Sequence, residues 1–138
     1  MFFNKSKKKN EDNFLVKVCA LLIHTAKIDE DYTEKEEEII KRTLLELGLK
    51  KEKISETIEI AKTIEENSNQ ILDFTKQVKI LPKKDKKKII EALWSIIYSN
   101  KDADIYESNL MRRLAGLLYI DTKTMGDIKE SIKKQYSK

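Results

Sequence analysis

The chain has 138 residues, 38% of them charged and 40% hydrophobic, with three glycines and one proline. That suits one domain around one core, and so few breakers among so many Leu, Ile, Glu and Lys residues point to an all-helical protein. The single cysteine, Cys19, excludes an intramolecular disulfide and fits a reducing compartment.

The net charge of +4 equals the four lysines of the opening MFFNKSKKKN, which leaves 24 basic and 24 acidic residues in the remainder. A neutral body argues against a dedicated nucleic-acid binder, whose positive charge lies on the folded surface. Residues 1–10 read as a basic flexible tail, and residues 11–138 as the folded domain. Phe2 and Phe3 beside Lys5, Lys7, Lys8 and Lys9 suit contact with anionic lipid, where each lysine contributes about 1 kcal/mol. The competing reading is a disordered, solubilising terminus. The most apolar run, Phe14 to Ile23, is interrupted by Lys17 and is about half the roughly 20 residues that span a bilayer. No small-residue cleavage site follows an apolar stretch, so the sequence predicts a soluble, cytoplasmic chain, peripheral at most to the inner face of the membrane.

Seven helices are predicted in chain order. The first, Asp12 to Ile28, is apolar nearly all round, which marks a buried helix. The second, Glu34 to Leu47, carries Ile39, Ile40, Thr43, Leu44 and Leu47 on one stripe, and Gly48 follows where a left-handed residue closes a helix. The third, Lys51 to Glu66, repeats Ile54, Ile58, Ala61 and Ile64 at helical spacing. The fourth is short, Gln70 to Ile80, directs Ile71, Phe74, Val78 and Leu81 to the core, and is ended by Pro82. The fifth, Lys84 to Ser99, has a wide apolar surface that includes Leu93 and Trp94; its opening PKKDKKK reads as a helix start with a solvated face. The sixth runs from Ile105 to Tyr119 and the seventh from Thr122 to Tyr136. No alternating strand pattern occurs.

A shift of 71 positions lays the second half over the first: Leu22 falls on Leu93, Asp31 on Asp102, Glu36 on Glu107, Arg42 on Arg113 and Leu47 on Leu118. The sequence therefore predicts one compact bundle of two pseudo-symmetric three-helix units joined by the short fourth helix. The two wide-faced helices, one per unit, form its centre.

Each unit has an acidic joint between its first two helices. IDEDYTEKE, Ile28 to Glu36, is the first. Thr33 precedes Glu36 by three, the spacing of a capping box, and Asp104 precedes Glu107 likewise in the second joint. Acids in a first turn also face the positive end of the helix dipole. Capping leaves Asp29, Asp31 and Asp102 without a role. Asp29, Asp31 and Glu36, with Asp102, Asp104 and Glu107 in the second joint, offer hard oxygens suited to Ca²⁺ or Mg²⁺. The plain alternative is a solvated acidic turn. The spacing excludes an EF-hand, which needs a glycine inside a loop of about 12 residues.

AKIDEDYTEKEEEII and NKDADIYESNLMRRLAGLLYI resemble the two repeated motifs of the tellurite-resistance TerB family. The match runs through Tyr106, Glu107, Leu110, Arg112, Arg113, Ala115, Leu117 and Leu118. The family's Asp-Gly pair is Asp29-Glu30 here in the first copy and Asn100-Lys101 in the second. The resemblance covers almost the whole chain beyond the tail. It implies an all-helical module with an acidic, metal-binding face, linked to tellurite and other stress resistance and to complexes at the cytoplasmic membrane. Related helical domains open some membrane-associated DnaJ-type co-chaperones, which implies a second possibility, a metal-independent protein-interaction domain.

An enzyme is not expected, nor is a small-molecule substrate. Cys19 and His24 are the only nucleophile–base candidates, and five residues along a helix separate them by roughly 140°. Cys19 is read as core and His24 as a partly buried, hydrogen-bonded histidine. The glycines Gly48, Gly116 and Gly126 are isolated, so no phosphate loop exists. Arg112 and Arg113 either bridge to the acidic joints or meet a protein partner. Trp94 and Tyr98 are expected in the core, with Tyr98 as a candidate lining residue of a cleft between the units.

Overall fold

The computed structural model describes residues 2–27, 34–68, 72–76, 78–99 and 105–136. It is all-α, with no strand among the described residues. The helices are α1 (Phe2–Ala26), α2 (Glu34–Glu46), α3 (Ile54–Glu66), α4 (Leu72–Thr75), α5 (Lys83–Ser99), α6 (Ile105–Leu117) and α7 (Thr122–Tyr136). None among the described residues is long and apolar enough to cross a membrane.

The two wide-faced helices occupy the centre, as the apolar pattern requires. Val18 to Leu22 of α1 are all fully buried, and Ala92 to Tyr98 of α5 form an unbroken buried run. α1 packs on α5; α3 lies along α1 and α7 along α5, while α2 reaches both central helices. The outer helices each bury one stripe: Ile39, Ile40, Thr43 and Leu44 from α2, Ile54, Ile58 and Ala61 from α3, and Met125, Ile128 and Ile132 from α7. This is the expected consequence of a 3.6-residue period on a surface helix.

Two elements differ from the sequence expectation. α1 begins at Phe2 rather than Asp12; the segment has no Gly or Pro, and its lysines are good helix formers even where the apolar pattern stops. The fourth helix shrinks to the single turn of α4, followed by a 3₁₀ turn, Val78–Ile80. Phe74 and Val78 still reach the core, at 1% and 0% exposure. Anchoring two side chains needs two turns, not a continuous helix, so among the described residues six longer helices and one short turn stand where seven helices were expected.

The repeat is legible in the backbone. α2 and α6 begin and end 71 residues apart. Each ends in a Schellman motif with matching hydrogen bonds. In the first, Gly48 N–H donates to Leu45 O (3.0 Å) and Leu49 N–H to Leu44 O (2.9 Å); in the second, Tyr119 N–H donates to Gly116 O (3.3 Å) and Ile120 N–H to Ala115 O (2.9 Å). The motif satisfies carbonyls that a helix end leaves open and turns the chain through one left-handed residue. That residue is Gly48 in one unit (φ 102°) and Tyr119 in the other (φ 57°).

Candidate functional site

The first joint is entered from α1 and left through α2. Glu36 is the third residue of α2, the position a capping box gives it. Its side chain is wholly buried, at 0% exposure. A cap at a helix start ordinarily sits at the solvent edge, and enclosing a carboxylate is costly unless hydrogen bonds, positive charge or a cation compensate it. The sequence marked this residue correctly but gave no sign of its burial. Asp29, Asp31 and Thr33, and Asp102 and Asp104 of the second joint, lie outside the described residues. Glu107 holds the third place of α6, equivalent to Glu36; its side chain lies outside them too, as do those of Phe2, Phe3, Lys5, Lys7, Lys8 and Lys9.

Polar contacts brace the helices flanking the first joint. Glu65, 8% exposed near the end of α3, accepts from Lys27 Nζ at 2.7 Å and lies 3.3 Å from His24 Nδ1. The hydrogen bond to Glu65 raises the Lys27 ammonium above its ordinary pKa. The His24 ring is tilted against the Phe74 ring with centroids 6.4 Å apart, and Lys17 Nζ lies 6.0 Å from the centre of the Phe74 ring. His24 is thus the half-buried, engaged histidine the sequence predicts. On α2 and α3, Lys62 Nζ lies 3.7 Å from Glu37 Oε1 and 3.6 Å from Glu59 Oε1.

Cys19 is fully buried, and burial pushes its thiol up to about 12. A thiol so protected is inert as a nucleophile. Trp94 and Tyr98 stack in the core at 5.9 Å, and Trp94 Nε1 lies 3.3 Å from Met125 Sδ, tying α5 to α7. Arg112 and Arg113 are exposed on α6. Among the described residues no three His, Cys, Asp or Glu side chains cluster as a metal site; the joint aspartates stand outside that description.

Helical spacing predicts a cleft between the units but not the residues that line it. Two surface cavities, about 230 and 480 Å³, share Arg42, the repeat counterpart of Arg113. They run between α2, α5 and α7, where a cleft between units was expected. Ser95, Ser99 and Tyr136 line them, while Tyr98 is turned inward with 6% exposure. Their charges are mixed: Arg42 and Lys88 face Glu46 and Glu91. Spacing along a helix shows which residues are exposed, but not which exposed faces meet across a groove.

A duplicated three-helix unit built around two buried central helices defines a class of small all-helical domain. The model of the family described as Tellurite resistance protein TerB matches residues 15–130, and the chain belongs to that family. No curated protein and no solved structure matches the chain.

Proposed function

We propose that this chain is a non-catalytic binding and adaptor module that takes a divalent cation, Ca²⁺ or Mg²⁺, at its acidic joints. It would serve tellurite or another stress response near the cytoplasmic membrane. The observation that carries the reading is the complete burial of Glu36 at the start of α2, in a family member whose neighbouring segment supplies Asp29 and Asp31. The donors are carboxylate oxygens, which suit a hard cation and not a soft one. Asp29, Asp31 and Glu36 would hold it in the first joint, and Asp102, Asp104 and Glu107 in the second. Bound there, the cation would fix the entry of α2 and α6 and present a charge-neutralised surface to a partner. The inert Cys19 and the engaged His24 support a role without catalysis.

The test is an NMR titration with Ca²⁺ and Mg²⁺ on the full chain and on an Asp29→Asn/Asp31→Asn variant. Saturable shifts at the joints, lost in the variant, are expected. No saturable shift at millimolar cation would leave the second reading, a metal-independent protein-interaction domain. The exposed Arg112 and Arg113 favour that alternative.

A further inference from the structure

The two Schellman motifs differ in one respect that the fold does not require. The left-handed position is glycine in the first unit and tyrosine in the second. A bulky side chain at positive φ is disfavoured and recurs where surroundings or function hold it there. Tyr119 is not held by the core: it is 74% exposed. The ammonium groups of Lys79 and Lys86 each lie 5.8 Å from the centre of its ring.

Tyr119 forms, with Ile120 and Ile128, the apolar wall of a surface cavity of about 300 Å³ between the start of α5 and the α6–α7 turn. That volume is at the small end of ligand pockets, roughly 300–1,000 Å³, and suits an inserted side chain. Its rim carries Lys83, Lys84 and Lys87, none of which takes part in an ion pair among the described residues. Lys86 on the same rim donates to Leu118 O (2.9 Å) and so closes α6. Asp121, the acid on the rim, accepts from the Thr124 N–H at 3.3 Å; the Thr124 hydroxyl first, then this N–H and more weakly the Lys83 charge, hold its carboxyl below the usual range. The lysines also crowd the first turn of α5, where the helix dipole is already positive and basic residues are disfavoured. Beside Lys79, Ile80 adds a second exposed apolar side chain, at 79% exposure.

We infer that this cavity is a docking surface for an acidic peptide segment of a partner protein, with one bulky apolar side chain seated against Tyr119 and Ile128. Asp or Glu residues on either side of that anchor meet Lys83, Lys84 and Lys87. An apolar wall with a cationic rim matches this amphipathic pattern, in which the anchor supplies the binding and the charges the orientation. A concave cavity favours a peptide side chain over a bilayer surface, and the neutral body disfavours nucleic acid. The inference rests on the adaptor half of the function proposed above and is independent of the metal.

The probes are fluorescein-labelled peptides with Asp/Glu flanks around a central Phe, Leu, Trp or Ala, read by anisotropy and by amide shifts on the full chain. Saturable, salt-weakened binding of the Phe, Leu or Trp peptide is expected, at least tenfold tighter than the Ala peptide, with shifts at Tyr119, Ile120 and Ile128. Tyr119→Gly, which relieves the backbone, and Lys84→Glu/Lys87→Glu should each weaken it at least tenfold while circular dichroism stays unchanged. Absence of binding by every peptide, or binding untouched by both variants, would overturn the inference. So would capture by phosphatidylserine vesicles, lost in Tyr119→Gly, without peptide binding. Shifts confined to the faces of Arg112 and Arg113 would overturn this surface yet leave the adaptor reading standing.

Discussion

The two three-helix units keep the same backbone and spend their side chains differently. The last turns of α2 and α6 share a hydrogen-bond pattern atom for atom, yet one closes on Gly48 and the other on Tyr119. Lys27 and Glu65, an ion pair in the first unit, correspond to Tyr98 and Tyr136 in the second. Cys19 corresponds to Ile90, and both are fully buried. Positions that bury apolar surface or satisfy backbone groups are retained in kind, because losing them costs the fold directly. Some polar positions are also kept, as Glu36 with Glu107 and Arg42 with Arg113, while others such as Lys27 and Glu65 diverge.

The largest effect is expected in the core that the two units share. Leu22 and Leu93 are equivalent and both have 0% exposure. Leu22→Ala and Leu93→Ala should each destabilise by about 2–5 kcal/mol, the range for a buried leucine cavity. Urea denaturation should show one cooperative transition for both. Two separate transitions, or a loss confined to one variant, would show that the units do not share a core.

Alkaline pH should separate the units next. The folded Cys19 thiol is raised from 9.0 to about 12, so the native state holds a proton that the unfolded state releases. This contribution is fully present below pH 9 and is lost as pH rises towards 12. The slope is at most about 1.4 kcal/mol per pH unit. Cys19→Ala should show a shallower alkaline decline than the parent, after subtraction of its cavity cost at neutral pH. Equal slopes would place the thiol in a solvated setting. A thiol reagent should likewise label Cys19 only on unfolding.

The helix ends give a smaller effect. A methyl at Gly48 would meet nothing within 4 Å, so its φ of 102° alone resists a side chain. Gly48→Ala should cost about 1 kcal/mol or somewhat more. Tyr119→Gly should lie within about 1 kcal/mol of the parent, since relief at the left-handed position is offset by glycine's entropy and the lost lysine–ring contacts. A large loss in Tyr119→Gly would mean that the ring supports the fold after all. The smallest effect belongs to Lys27→Met. Lys27 is half-exposed, at 42%, and His24 stays beside the buried Glu65 when it is removed, so the unfolding free energy should change by no more than about 1 kcal/mol.

The sequence carried most of the fold because burial has a period. The wide faces of α1 and α5, the stripes of α2, α3 and α7, and the closing Gly48 are all statements about spacing. The start of α1 was not legible, since lysines mark neither helix nor coil. The fourth helix was overextended because Phe74 and Val78 fit a helical spacing that two separate turns also satisfy. At the site, the capping pattern located Glu36 but could not show its burial, which depends on what packs over the turn. The replacement of Gly48 by Tyr119 was visible in the sequence, but its consequence was not: the cavity wall forms only when α5 is brought against the α6–α7 turn.

The measurement that bears most directly on the proposed role is chemical denaturation of the parent and Glu36→Gln with and without Ca²⁺ or Mg²⁺. Glutamine preserves a capping box but not a carboxylate ligand. The metal-free proteins should differ by no more than about 1 kcal/mol, on the scale of a single cap, while millimolar cation should stabilise the parent and leave Glu36→Gln unchanged. Equal stabilisation of both proteins, or none of the parent, would contradict the proposed role and reduce Glu36 to a buried helix cap.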